Sequence, residues 1–216
     1  CDRLDVLGTN EFDVVINYLP LFHIFGYVDG TLSSVLTGNC QVLLPTFDAE
    51  QALRLVEQEG GTQIQGFEAH LNELVRAQRV LGADLHTLRC GVFAAGMQSG
   101  AGITRDAWNV LAPLKTITAY GMTEIGANCS LSRQHSSVEQ ASESSGLPCP
   151  GYDFRIVDPL TQTDCSVGTA GEVWIKTDNI MQGYYGEPVL TAAAFSKDGW
   201  FKSGDMGYLR PDGYFR

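Results

Sequence analysis

Up to about Leu131 the sequence alternates short runs rich in β-branched residues with segments of helical period, and few architectures accommodate that alternation. It is the pattern of a parallel sheet covered by helices. The strand candidates are 14–19, 41–44, 62–65, 88–94 and 116–119. Asp48 is placed to cap a helix, with Gln51 three residues on and Ala52, Leu55 and Val56 on one apolar stripe, so a helix is predicted over 49–59. Leu71, Leu74, Val75 and Leu81 recur at helical spacing after Phe67, and Gly82 reads as the C-cap of that run. A third helix is expected over 103–111, ended by Pro113.

Between 132 and 145 the residues turn to Ser, Gln and Glu with little periodicity, as expected of an exposed connection. After Gly151 the signals become short alternating strands with turn residues between them, at 154–157, 172–176 and 207–209, the last followed by Pro211-Asp212-Gly213. Pro188 with Thr191 to Phe195 is the one helical insert predicted there. The expected fold class is therefore α/β. A parallel-rich sheet with covering helices occupies about 1–131, a connecting loop 132–150, and a small β-rich, barrel-like unit about 150–216, divided from the loop at 151.

Composition narrows the function classes. A chain of 216 residues with 44% apolar and 18% charged residues is neither collagen, coiled coil nor disordered tail. With 14 Lys+Arg against 25 Asp+Glu, the net charge of -11 has the wrong sign for neutralising phosphates along a duplex, so no nucleic-acid partner is expected. The six Cys form no CxxC pair and read as reduced thiols in the cytoplasm. The apolar stretch 14–25 is broken by Asn17, Pro20 and His23, so no membrane span and no signal peptide are predicted. The chain opens at Cys1 without Met and stops at Arg216 inside an apparent strand, which reads as a piece of a longer protein.

Three segments carry residue types suited to chemistry. Tyr120-Gly121-Met122-Thr123-Glu124 follows a buried-looking strand, at the carboxyl end where parallel sheets meet ligands. Glycine lets backbone approach a ligand, Thr offers a hydroxyl to phosphate, Glu is a hard oxygen ligand for Mg2+, and Tyr presents a flat face. The bland alternative is a strand-to-loop turn with an incidental acid. Leu19-Pro20-Leu21-Phe22-His23-Ile24-Phe25-Gly26 ends another strand and opens a helix; His23 reads either as a satisfied core histidine or, with Phe22, as the wall of a pocket for an apolar or aromatic acyl group. Gly199 to Asp205 places an acid in a Gly-containing turn, able to accept two hydrogen bonds from a ribose diol or to form an ordinary Asx turn. His70, His86 and His135 are spaced for no metal site.

In this order the segments resemble the adenylate-forming superfamily of acyl-CoA synthetases, peptide-synthetase adenylation domains and luciferases. LPLFHIFG resembles its acyl-pocket segment and YGMTE its signature for adenine, phosphate and Mg2+. GEVWIKTDNIMQGYYGEP resembles the segment leading to the nucleotide, and GWFKSGDMGYLRPDGYFR the ribose-binding aspartate with its following strand. SSGLPCPGYDFRIVD also fits, and the resemblance covers essentially the whole chain, with the flavour of a fatty or aromatic acyl-CoA synthetase. Two departures stand out: Ala94-Ala95-Gly96-Met97-Gln98 lacks the usual Pro of the turn against adenine, and Thr177-Asp178 replaces a Gly after the GEVWI strand.

The resemblance implies an ATP- and Mg2+-dependent ligase that joins a carboxylic acid to coenzyme A through an acyl-AMP. Tyr120 and Gly96 are implied to contact adenine, Thr123 phosphate, Glu124 the metal and Asp205 the ribose, with Thr123 and Glu124 as the catalytic residues. Phe22, His23, Gly121 and Met122 are implied to line the acyl pocket. The family's phosphate loop and its catalytic lysine find no counterpart in these residues. The rival reading is a non-catalytic adenylation-like module that binds a ligand without turnover, against which Glu124 and Asp205 both speak. Which acid is used, whether the thiol belongs to CoA or a carrier protein, and the oligomeric state are left open by the sequence.

Overall fold

Residues 2–94 and 101–216 are described in this computed structural model. After a short helix α1 (Asp2–Leu7), the apolar run Val14–Asn17 forms β1; a π-helical stretch Phe25–Leu32 then runs into α2 (Ser33–Thr37) and leads to β2 (Cys40–Leu43). The predicted strand 14–19 stops at Asn17 because that side chain replaces the ladder, accepting the Leu19 N–H at 3.0 Å and donating to the Gly26 carbonyl at 3.3 Å. Helix α3 (Ala49–Glu59) has its predicted bounds. Asp48 accepts the Gln51 N–H at 2.8 Å at one end and Gly60 closes the other.

Then follow β3 (Gln63–Ile64), β4 (Gly66–Phe67), α4 (Glu68–Leu81), β5 (Cys90–Ala94), α5 (Ala101–Val110) and β6 (Lys115–Ile117). β1 pairs in parallel with β2 and β3, and β5 with β3, β4 and β6, giving the order β2-β1-β3-β5-β6 with β4 beside the end of β5. The apolar stripes of α3 and α4 (Ala52, Leu53, Val56, Leu71, Leu74, Val75) lie in the same buried core as Ile16, Ile64 and Val92 of the strands. Each such Leu or Val is worth about 1.5–3 kcal/mol when fully buried. The chain runs from β1 outward to β2 and returns to β3 on the other side of β1. The order thus reverses between β1 and β3, where open α/β sheets leave a crevice for ligands.

The predicted strand 116–119 divides. Thr118 is buried between β6 and β7 (Ala119–Met122), and β7 belongs to a three-stranded antiparallel sheet with β8 (Ala127–Leu131) and β9 (Leu147–Pro148). The stretch 132–145, expected to be exposed, instead carries α6 (Val138–Ser142) and buries Ser132, Ser136, Ser142 and Ser144. Their hydroxyls have internal partners: Ser132 Oγ accepts the Thr118 N–H at 3.0 Å, Ser142 and Ser144 donate to carbonyls one helical turn back, and Ser136 shares a proton with Tyr214 at 2.7 Å. A serine-rich composition signals exposure only where such partners are lacking.

A second three-stranded antiparallel sheet contains β10 (Tyr152–Val157), β11 (Gly171–Thr177) and β12 (Phe201–Gly207), with α7 (Pro188–Ala193) inserted before its last strand. The turn expected around Asp205 is a bulge inside β12. The ladder shifts between Glu172 and Trp174, and Gly204 N–H turns to the Glu172 carboxylate at 3.1 Å. Residues 214–216 join the two antiparallel sheets: Tyr208 and Arg216 exchange both backbone hydrogen bonds, and Ser145 and Gly146 bond to Phe215. That seam links the two antiparallel sheets along one side. Among the described residues no helix is long and apolar enough to cross a membrane, and the five described cysteines are free thiols.

Candidate functional site

A cavity of about 420 Å3 opens at the carboxyl ends of the central strands, beside the reversal between β1 and β3. Its walls come from the segment after β1 (His23, Ile24, Phe25), from Phe67 of β4 and Ala94 of β5, and from the run Ala119 to Glu124 with Ala127 and Asn128. His23 is exposed toward solvent rather than buried in the core; its Nδ1 accepts the Phe25 N–H at 3.2 Å and its ring stands edge-on to Phe67. The run Tyr120 to Glu124 reaches the cavity because β7 crosses β8 closely. A Cβ on Gly121 would lie 2.0 Å from the Ala127 carbonyl oxygen, so only glycine permits this crossing. Thr123–Ile125 then forms a single 3-10 turn that carries Thr123 and Glu124 to the rim.

Tyr120 is half-buried and lines two cavities, this one and a neighbour of about 360 Å3 that also receives Asp205, Tyr208 and Phe215. Its hydroxyl donates to Asp205 Oδ2 at 2.7 Å, and its ring packs edge-on against Phe215. Burial, together with the Asp205 carboxylate, pushes the Tyr120 phenol well above its ordinary value, so it remains a donor at any physiological pH. Two segments far apart in sequence thus meet at one bond.

Of the residues proposed from sequence, His23, Tyr120, Gly121, Met122, Thr123 and Glu124 share the first cavity, and Asp205 joins them through Tyr120. Phe22 does not. A turn closed by the His23 N–H to the Pro20 carbonyl at 3.0 Å separates the two neighbours, and Phe22, 95% exposed, faces a different cavity with Tyr18, Phe47 and His70. Gly96 lies outside the described residues. Sequence reasoning missed Asn128, a buried polar residue whose Nδ2 donates to the Asp29 carboxylate at 2.9 Å, and Tyr184, whose hydroxyl donates to Glu124 Oε1 at 3.0 Å. An amide side chain inside the short strand β8, Ala-Asn-Cys-Ser-Leu, was the signal for the first.

The donor set is compatible with a nucleotide-borne Mg2+. Glu124 supplies a partly exposed carboxylate at the cavity rim, with Thr123 beside it. Among the described residues no cluster of three or more His, Cys, Asp or Glu could hold an ion alone, and Mg2+ commonly takes one or two carboxylates together with substrate phosphates. Among the described residues that line the first cavity, none is Lys or Arg.

A family profile described as "AMP-binding enzyme" matches residues 2–185. The chain is 30% identical over 207 residues to a Bos taurus protein named medium-chain acyl-CoA ligase ACSF2, mitochondrial, covering 95% of this chain and 34% of that one. It is 32% identical over 199 residues to 4-coumarate--CoA ligase-like 6 of Oryza sativa subsp. japonica, covering 91% and 32%. Among solved structures, the O-succinylbenzoate coenzyme A synthetase (MenE) of Bacillus subtilis in complex with AMP superposes with a TM-score of 0.85 at 25% identity, covering 99% of this chain and 42% of that one. The chain therefore spans about a third of the length of the curated relatives it matches. With the profile spanning most of the chain and the motifs lying where the cavity needs them, the chain belongs to the AMP-binding enzyme family, the adenylate-forming superfamily of acyl-CoA synthetases.

Proposed function

We propose that this chain is the acid- and nucleotide-holding part of an ATP-dependent acid:CoA ligase. In the reaction a carboxylate attacks the α-phosphate of ATP to give acyl-AMP and pyrophosphate, and the CoA thiol then displaces AMP. The observation that carries this reading is the convergence of Tyr120, Thr123, Glu124 and His23 on one cavity, with Asp205 tied to Tyr120 at 2.7 Å. Asp205 binds the ribose diol, Tyr120 packs on adenine, Thr123 donates to a phosphate oxygen, and Glu124 is the protein ligand of Mg2+. Bound there, the metal supplies charge neutralisation and positioning at phosphorus, the dominant needs of phosphoryl-type transfer. His23, Gly121 and Met122 border the acyl group, whose apolar surroundings at Phe25, Phe67, Ala94 and Ala119 suit a fatty or aromatic acid.

The relatives named as medium-chain acyl-CoA ligase and 4-coumarate--CoA ligase-like support that substrate class. A place in fatty acid metabolism follows from that substrate class, and the cytoplasm is the compartment proposed with it, although the Bos taurus relative is named as mitochondrial. The test is ATP-pyrophosphate exchange by the full-length polypeptide over a panel of fatty, aromatic and dicarboxylic acids. Exchange with a fatty or aromatic acid is expected, and absence of exchange with every acid sinks the ligase reading. Residues 1–216 alone are expected to give none, because loss of a single preorganised donor typically lowers turnover about 100- to 1,000-fold, and the phosphate loop and lysine implied by the family have no counterpart among these residues.

A further inference from the structure

The segment leading from β11 to α7 makes two contacts with the turn that bears Glu124. Met181 N–H donates to the Glu124 carbonyl at 2.7 Å, and the Tyr184 hydroxyl donates to Glu124 Oε1 at 3.0 Å. The position of Tyr184 is fixed from its other side by α7. Its N–H donates to Thr191 Oγ1 at 2.9 Å, and the same hydroxyl donates to the Glu187 carbonyl at 2.9 Å, closing the loop on itself. Gly183 fits against Thr191 without a side chain; a Cβ there would lie 2.8 Å from Thr191 Cγ2. The adjacent Tyr185 is fully exposed.

We propose that Tyr184 is a positioning residue for Glu124, holding one carboxylate oxygen so that the other is presented to the nucleotide-borne metal. The proposal rests on the assignment of Glu124 as metal ligand. The terminal torsion of a glutamate is broad, and a partly exposed carboxylate at a cavity rim samples many orientations unless something selects one. A phenol on Oε1 makes that selection. It leaves the acceptor sites of Oε2 free, while the Met181 bond keeps the turn beneath from shifting. The MQGYYGEP run is thereby given a task distinct from binding the nucleotide directly.

Mn2+ titration of the ATP-loaded full-length polypeptide, followed by electron paramagnetic resonance, tests this without relying on turnover. Tyr184→Phe keeps the ring and removes only the hydroxyl. We expect it to weaken Mn2+ about threefold to tenfold, the scale of one hydrogen bond to a partly exposed charged acceptor, and to leave metal-free AMP affinity unchanged. Tyr185→Phe is expected to behave as the parent. In a Glu124→Gln background, Tyr184→Phe should add nothing further. Parent-like Mn2+ affinity in Tyr184→Phe, with Glu124→Gln clearly weakened, overturns the positioning role and leaves the metal assignment standing. Independent, additive losses in the double variant overturn it as well. Parent-like affinity in Glu124→Gln overturns the metal assignment beneath the proposal and the proposal with it.

Discussion

The Tyr120 hydroxyl donates to Asp205 Oδ2 at 2.7 Å, joining β7 to the bulge of β12 across the boundary between the two antiparallel sheets. In the proposed site this bond orients the carboxylate that receives the ribose. Asp205→Ala is expected to weaken AMP and ATP alike, by about tenfold or more, because both carry the diol and a hydrogen bond to a charged acceptor is worth about 1.5–3 kcal/mol. Tyr120→Phe should lose less AMP affinity than Asp205→Ala, since the ring stays in place and only the orienting bond is removed. Calorimetric titration of AMP into the full-length variants reads both. Parent-like AMP binding by folded Asp205→Ala removes the ribose assignment.

The separation of His23 from Phe22 gives a second expectation. Only His23 borders the cavity shared with Tyr120 to Glu124, so His23→Ala should reorder the preference among acids while leaving the KM for ATP nearly constant. Phe22→Ala, at a side chain 95% exposed over a different cavity, should leave the ranking unchanged. Contacts in apolar pockets are worth about 1–3 kcal/mol per methylene, so the preference shifts rather than vanishes. Exchange rates over the acid panel decide it. An unchanged ranking in His23→Ala with a changed one in Phe22→Ala would reverse the assignment.

Much of this arrangement was legible in the sequence, and the exceptions share a cause. Helix α3 could be read residue by residue because its signals are local: a capping Asp48 with Gln51 three residues on, and an apolar stripe. The motif YGMTE could be placed near a ligand by its position after a strand, but its meeting with Asp205 was legible only through the family resemblance, since nothing local in either segment specifies the bond of Tyr120 to Asp205. Where the reading failed, partners distant in the chain decided the outcome. Ser136 is buried because Tyr214 meets it, and Gly204 forms a bulge because Glu172 across the ladder takes its N–H. Phe22 and His23 part company at a turn whose direction depends on packing around Gly26, where a Cβ would lie 2.5 Å from the Pro20 carbonyl oxygen.

His70 predicts a pH dependence. Its Nδ1 accepts the N–H of Phe67, the residue capping α4, at 3.1 Å, and burial among Tyr18, Phe47 and Phe67 holds its pKa below the ordinary 6.5. The folded state therefore binds this proton less readily than the unfolded state. The associated stability is complete above about pH 6.5 and is lost as pH falls from there through the folded value. His70→Gln retains an acceptor for the capping N–H but does not titrate. The fall in Tm between pH 7 and pH 5 should be shallower for this variant than for the parent. Equal slopes would mean that His70 protonation is not linked to unfolding.

Two glycine-to-alanine changes should act in opposite directions. At Gly121 the added methyl meets the Ala127 carbonyl oxygen at 2.0 Å and its carbon at 2.6 Å, both backbone atoms of the paired strand. No rotamer relieves this contact, so β7 and β8 must spread, and overpacking of this kind is typically worth about 1–3 kcal/mol of destabilisation. For a chain of this size each kcal/mol lowers Tm by about 2–4 °C. Gly102, on the exposed side of α5, has no atom within 4 Å of an added Cβ. There alanine removes only the backbone freedom of the unfolded chain and improves helix propensity, a gain of about 0.5–1 kcal/mol. Thermal unfolding of the two variants should therefore show Tm lowered for Gly121→Ala and raised for Gly102→Ala. A Gly121→Ala variant as stable as the parent would mean that β7 and β8 do not approach at the distance that brings Tyr120, Thr123 and Glu124 to the cavity.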